Sequence, residues 1–549
     1  MPKNRFFASF LLLWGLLLFP NVNSVQAGNN AIFYQPVIVK GAQLPDFQGV
    51  PTNELSLWAF DATSASWRAV PFQIDERKPS GSYFGSHDGV LDKNDELVFM
   101  AKDFGDRAGE QDWIADPDSR NFPRYALALT GVEGDENRFL YVYRAKPPAV
   151  SSYMTFQPTP APGTVSSDQY SVGFGANGLP DRLLIPASAG GNGQDLLDRL
   201  KIRIVAKVKG FSGYTTVQIS ENSILVQGIS LKVGPVRIIR DLIFKLSVDL
   251  GQLGSIAPPD TFYFPIFFYP YAMGVQADSV DLKDVQDLNI KIQAVRYSMD
   301  FSSAASGMRF DNPFNSDVPV DGHEDSVAHD LSAGLTYQML TGTQGTVLSV
   351  LEVPEVGDQR QLYYWESTDG STEDGTYDTG DGFSYGDAGF WIRGENISGI
   401  LKFWSTVYFL PGNQSTALAQ QFLSLAKNPF QIVATLEQSK VSVSEHLSSA
   451  APRQFVVSPT YPNPFRPESF SAGVTWHYFL PAGSFVRVAI YDVTGRLLKQ
   501  LVENPQLAGA HVVRWDGRTQ KGRAAVSGMY FCRIEAAGHV STQKFLLIR

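Results

Sequence analysis

Apolar and polar residues alternate with a period of two over many short runs of this chain. Clear cases are residues 55–60, 97–101, 125–129, 139–143, 200–208 and 401–410, all rich in aromatic or aliphatic side chains. Period two sets one face of a strand against a core and the other outward, so each run is a predicted β-strand. The 3.6 period of a helix is rare. Residues 415–427, with Ala417, Leu418, Phe422 and Leu425 on one face, are the best helix candidate. With 48 glycines and 33 prolines for turns, the pattern predicts an all-β chain of several antiparallel β-sandwiches, ending in a small C-terminal one.

At 549 residues the chain exceeds one core, and about 150 residues per domain gives roughly three. Pro147, Pro148, Pro158, Pro160 and Pro162 disfavour helix and central strand between 146 and 168. Residues 437–449, with Ser439, Ser442, Ser444 and Ser448, read as a linker. The expected organisation is a signal peptide at 1–27, an N-terminal β domain at 28–150 and a central sandwich at 165–440. A linker at 441–454 and a terminal module at 455–549 complete it.

The first residues have the three parts of a secretory signal. Lys3 and Arg5 precede an apolar run at 6–19, and Val25, Gln26 and Ala27 supply the small residues before an expected mature start at Gly28. The run is shorter than the roughly 20 residues that cross a bilayer, and Pro20 closes it. The longest later apolar stretch, 262–273, is broken by prolines, so no transmembrane span is expected in the mature chain. A net charge of −10 argues against nucleic acid, whose phosphates demand basic patches. Cys532 is the only cysteine; between Phe531 and Arg533 in a strand-like run it reads as a small core residue.

Beyond Phe455 the strand pattern is dense. Runs at 485–491, 496–502, 511–515, 527–534 and 542–548 are separated by turn signals, among them Asp492-Val-Thr-Gly495 and the hairpin dipeptide Asp516-Gly517. Ordered motifs lie on this frame: Tyr461-Pro-Asn-Pro-Phe465, Val488-Ala-Ile-Tyr-Asp-Val-Thr-Gly-Arg496, Trp515-Asp-Gly517, Gly522, Ser527-Gly528, Tyr530-Phe531 and the basic end from Lys544. The set resembles the C-terminal type A sorting domain of type IX secretion cargo, which shares its motif with the Ig-like domain of the flagellar hook-capping protein. The resemblance covers about residues 455–549. It implies an Ig-like sandwich, passage across the outer membrane through the secretion machinery as partner, and a secreted or cell-surface destination.

Two acidic segments have calcium-like spacing. In residues 86–96, Asp88, Asp92 and Asp95 fall at ligand positions if Gly89 is the turn glycine of an EF-hand-like loop, but Phe84 then stands where the first ligand belongs. The denser run at 369–387 offers Asp374, Asp378 and Asp381 among glycines. Hard carboxylate oxygens at close spacing suit calcium, and a solvated acidic loop is the plain alternative. The aromatics around that run, Tyr363, Tyr364, Trp365, Tyr377, Phe383, Tyr385 and Trp391, suit a sugar-binding strip, although core is the usual role of such residues. No serine-hydrolase elbow, phosphate loop or dinucleotide fingerprint occurs, and His323 and His329, six apart, do not share a helical face.

The sequence therefore predicts an exported β-sandwich protein with a ligand-binding middle region, for calcium and polysaccharide. A carbohydrate-active enzyme, lyase or glycosidase, is the alternative, and a structural envelope protein a third. No catalytic residue stands out.

Overall fold

The computed structural model describes residues 31–85, 87–131, 138–210, 213–249, 255–256, 261–281, 290–329, 331, 334–372, 378–439, 455–457, 465, 474–507, 509–536 and 538–549. The expected signal peptide and linker lie outside them. The architecture is all-β, as the alternation predicts, with antiparallel sheets throughout and one α-helix of three turns at Thr416–Lys427 among the described residues.

In the N-terminal part, a three-stranded sheet (Pro36–Lys40, Glu96–Met100, Gln73–Asp75) packs on a five-stranded one. The order of the latter is Gln431–Glu437, Arg124–Thr130, Phe139–Arg144, Leu55–Asp61, Ser66–Ala69. Successive side chains of a strand point to opposite faces. Tyr125, Leu127, Leu129, Leu140 and Val142 thus meet Val37, Val39, Leu97 and Phe99, while Ala126, Phe139, Tyr141 and Tyr143 turn away to Trp113 and Ile114. Both faces are covered, so these strands read as nearly continuous apolar runs. The edge strand Gln431–Glu437 arrives from about 300 residues downstream and pairs with Arg124–Thr130 in full register. Arg124 Nη2 meets Glu437 Oε2 at 2.8 Å and tethers it.

The central part is a sandwich of a nine-stranded and a five-stranded sheet, with a four-stranded sheet formed by Thr155–Gln157, Thr164–Ser166, Ser171–Phe174 and Pro180–Leu184 against the same core. The five-stranded sheet runs Gly213–Ile219, Leu197–Gly210, Ile290–Phe301, Ser384–Arg393, Gln359–Ser367. Its inner face gives Leu200, Ile292, Met299, Phe390 and Ile392 to the core shared with Val347, Leu351, Phe403 and Val407 of the larger sheet. The other side of the larger sheet packs Tyr337, Met339, Leu348 and Tyr408 on the helix. Ser415 caps that helix by accepting from Leu418 N. Its buried face is Leu418, Ala419, Phe422 and Leu423, so Ala419 takes the place expected of Ala417, which is exposed.

A buried ionic rivet joins the first two parts. Arg237 of the central part donates from Nε to Asp75 Oδ2 at 2.7 Å and from Nη2 to Glu96 Oε2 at 2.8 Å. Gln73 Oε1 accepts from the backbone N–H of Val236 and Arg237. Each charge is removed from water, and each has an opposite charge in contact.

The C-terminal module is a small sandwich. Val456–Val457, Val474–Leu480 and Gly509–Trp515 face Leu497–Gln506, Ser484–Asp492, Gly528–Ala536 and His539–Leu547. Trp476, Trp515, Val488, Ile490, Ile534 and Phe545 fill it. Cys532 is buried among them, and burial raises its thiol pKa well above the ordinary value. Gly495 adopts φ +80° in the turn expected at 492–495. Asp516-Gly517 differs from expectation. It closes the strand at Trp515 but makes no two-residue hairpin, because the next strand starts at Gly528 in the opposite sheet.

Candidate functional site

The outer face of the five-stranded central sheet carries a charged cluster. Lys201 and Arg203 alternate with core residues on Leu197–Gly210, Asp300 projects from the neighbouring Ile290–Phe301, and Asp387 from Ser384–Arg393. On an isolated strand these positions would meet water. Here the loop carrying Asp378, Thr379 and Asp381 folds across them, and Lys201, Asp300 and Asp387 are essentially inaccessible. Gly380 permits the approach. At φ +105° a Cβ there would stand 1.8 Å from Asp198 Oδ2 and 2.7 Å from Arg199 Nε.

Lys201 Nζ lies 2.6 Å from Asp300 Oδ2, contacts Asp378 Oδ1, and is 3.8 Å from Asp387 Oδ2. Arg203 donates from Nη2 to Thr379 Oγ1 at 2.9 Å, and Thr379 in turn donates to Glu221 Oε1. Arg199 Nε is 3.2 Å from Asp198 Oδ2 and its Nη1 3.6 Å from Glu221 Oε1. Burial pushes the Asp198 carboxyl up to about 6, with repulsion from Asp381 adding to it. Burial likewise raises Asp300 and Asp378 above the usual carboxylate range. For Lys201, burial works against the charge, yet the carboxylates of Asp387, Asp300 and Asp378 outweigh it and hold the ammonium above its ordinary value.

The sequence-selected residues fall out as follows. Asp378 enters this cluster through Lys201. Asp381 is at its exposed rim, where its N–H donates to Asp198 Oδ1 at 3.2 Å and its own Oδ1 accepts from Phe383 N. Asp374 lies outside the described residues. In the earlier loop, Asp95 is buried, and its two oxygens accept from Arg77 N at 2.8 Å and Asp92 N at 2.6 Å. Asp88 Oδ1 accepts from Val90 N, and burial lifts Asp92 to about 6. The bonds from Val90 and Asp92 close the 88–95 segment as a turn, and the bond from Arg77 ties it to the chain upstream. Among the described residues, one group of carboxylates has oxygens all within 4.8 Å of one another, and it is Asp198, Asp300 and Asp378. Asp198, Asp300 and Lys201 carry no sequence motif. They read as the outward positions of alternating strands, and only the covering loop changes that.

Most aromatics near the acidic run are packed inward. Tyr363 is buried beneath Arg296, whose Nη1 donates to its hydroxyl at 2.8 Å, and Tyr364 stacks on Phe310 at 4.0 Å between ring centres. Phe383 stays exposed. Tyr364 donates to Glu366 Oε1, and Glu366 Oε2 accepts from Asp321 N at 2.8 Å and from Gly322 N. Burial pushes Glu366 up to about 7. His329 Nδ1 lies 3.1 Å from Leu362 O, and nothing links it to His323.

A separate open groove of about 410 Å³ runs between Pro36–Lys40, the helix and the outer face of the nine-stranded sheet. Trp404, Tyr408 and Phe430 supply rings, Gln35, Gln43 and Gln431 supply amides, and among the described residues its walls contain no Asp, Glu, His, Lys or Arg. Tyr408 donates to Gln35 Oε1 at 2.9 Å and Gln43 Nε2 to Ile432 O at 3.2 Å, which orients both amides. A second cavity of about 340 Å³, under Pro147, Pro148 and Val150, likewise lacks those side chains.

Comparison with known proteins places a family on one segment. Residues 471–539 match the FlgD Ig-like domain, which fits the sandwich seen there. No curated protein matches the chain. Among solved structures, an alpha-mannosidase from Enterococcus faecalis is similar at 10% identity and a TM-score of 0.38, over 89% of this chain and 55% of that one. PorZ, a surface component of the type IX secretion system of Porphyromonas gingivalis, is similar at 14% identity and a TM-score of 0.14, over 77% and 51%. Latent PorU from the same organism gives 10% and 0.15, over 94% and 48%. The chain spans about half the length of these proteins, and at such scores we transfer no activity from them. No helix among the described residues is long and apolar enough to cross a membrane.

Proposed function

We propose that this is an exported, noncatalytic surface protein. Its C-terminal Ig-like module serves sorting or attachment through the outer-membrane secretion machinery, and its β body holds a neutral polysaccharide. The observation that carries the reading is the groove beside the helix. Ring faces stack on sugar C–H surfaces, and oriented amides exchange hydrogen bonds with hydroxyls. Glycoside hydrolysis needs two carboxyl groups flanking the scissile bond, and proton transfer in general needs an ionisable partner within reach. Groove walls without acid, histidine or lysine support retention without cleavage. The sorting role rests on the ordered motifs from Tyr461 to Lys544 and on the family match at 471–539.

The test is incubation of the purified full chain with insoluble neutral and acidic polysaccharides, measuring both retained protein and released sugar. Retention on a neutral polymer without release, weakened at least tenfold by Trp404→Ala, is the expected result. Sugar release would replace this reading with the lyase or glycosidase alternative. Failure to bind any polymer would leave a structural envelope role.

A further inference from the structure

The charged cluster lies on a different sheet from the groove. Its charges do not balance. Around Lys201 Nζ stand Asp300 at 2.6 Å, Asp378 in contact and Asp387 at 3.8 Å, three carboxylates to one ammonium. The neighbouring guanidinium groups are directed elsewhere, Arg199 towards Asp198 and Glu221, and Arg203 towards Thr379 and Glu221, with Asp378 only at 4.0 Å.

Two observations independent of the clustering point to a ligand. Asp387 is 1% exposed, faces Lys201 with one oxygen, and among the described residues its Oδ1 has no hydrogen-bond partner. Asp300, wholly buried, leaves its Oδ1 in the same state. Buried carboxylate oxygens are ordinarily satisfied, because an unmet one forfeits its hydration without return. Here the orphaned oxygens adjoin the three carboxylates, Asp198, Asp300 and Asp378, whose ligand atoms converge within 4.8 Å.

We propose that Asp198, Asp300 and Asp378 bind a hard divalent cation, for which calcium is the natural probe. An all-oxygen donor set selects calcium or magnesium over softer metals, and a charge of +2 matches the excess around Lys201. Entry of the ion shifts the Lys201 ammonium off Asp300 and Asp378 towards Asp387, whose Oδ2 stands 3.8 Å from it. The ligands come from strands Leu197–Gly210 and Ile290–Phe301 and from the covering loop, so the ion pins that loop to the sheet. This differs from the loop site expected from sequence. Of the described loop residues Asp378 and Asp381, only Asp378 is a ligand, and two strand residues join it.

The test is calcium titration of the full chain by calorimetry after chelator dialysis, with metal content confirmed by mass spectrometry. One ion per chain is expected, with affinity lowered at least tenfold in both Asp198→Asn and Asp300→Asn, and unchanged in Asp88→Asn. Asp198→Asn, at a partly exposed position, keeps the test valid should Asp300→Asn fail to fold. No stoichiometric uptake by the unmodified chain overturns the proposal. So does wild-type affinity in the Asp198 variant, or an equal loss in Asp88→Asn.

Discussion

Arg237→Met is the sharpest perturbation of the body's assembly. In the native protein the guanidinium bridges Asp75 and Glu96 across the junction between the N-terminal and central parts. Methionine of similar length fills the volume but leaves both carboxylates. Glu96 keeps Arg77 at 2.9 Å and the Tyr83 hydroxyl at 3.0 Å. Asp75 keeps only the Gln73 amide at 2.9 Å and Lys232 at 3.4 Å. The loss therefore falls on one nearly inaccessible carboxylate. Removing one partner of a buried ion pair costs about 3–5 kcal/mol, and the surviving contacts put this case near about 3 kcal/mol. A chain of several domains does not unfold in one step, so a global transition is the wrong readout. Hydrogen exchange of the strands Gln73–Asp75 and Glu96–Met100 reads the junction directly. About 3 kcal/mol corresponds to exchange faster by roughly 150-fold where opening is in equilibrium. The double variant Asp75→Leu, Arg237→Met removes both charges and should recover at least half of the loss, since apolar replacement of a buried pair is often neutral. Acceleration below about tenfold, or a double variant no better than the single, would refute the reasoning.

Three further outcomes follow from single buried groups. Glu366 holds its proton more tightly folded than unfolded, so its contribution is full below the usual carboxylate range and is lost as pH rises through about 7; the total is about 3 kcal/mol. Glu366→Gln should flatten the pH dependence of local stability between about pH 5 and 7, read by hydrogen exchange of the strand Gln359–Ser367. Arg124 is wholly buried against Trp113 and Tyr141, at 4.4 and 4.5 Å from their ring centres, and donates to Tyr143, Asp112 O and Gly109 O. Arg124→Lys keeps the charge but loses the planar fork, which should cost at least about 2 kcal/mol and loosen the Gln431–Glu437 strand in exchange measurements. The Cys532 thiol, raised and enclosed by Trp476, Trp515 and Phe545, should resist aromatic disulfide reagents in native buffer and react fully in denaturant.

Strand positions were legible because alternation is a local signal. The runs at 55–60, 139–143 and 401–410 became Leu55–Asp61, Phe139–Arg144 and Ile400–Leu410. The apolar positions Leu418, Phe422 and Leu425 likewise located the helix. The same signal misled on chemistry. Lys201 and Arg203, spaced two apart between Leu200, Ile202 and Ile204, have the pattern of a solvated strand face, and burial by a loop almost 180 residues downstream leaves no trace in that pattern. Asp95 shows the converse. It sits at calcium-like spacing, yet its two oxygens are taken by backbone amides, one of Asp92 in its own turn and one of Arg77 upstream.

Residues close along the chain were enough to set the all-β class, the place of most strands, the helix at Thr416–Lys427 and the motif-bearing Ig-like module. Only the tertiary structure decided which strands share a sheet. It sent Gln431–Glu437 back to Arg124–Thr130, set Arg237 against Asp75 and Glu96, and drew Asp198, Asp300 and Asp378 together. Those pairings rest on long-range burial. A carboxylate far away in sequence becomes a partner only when packing removes both groups from water and makes each the other's best available counter-charge.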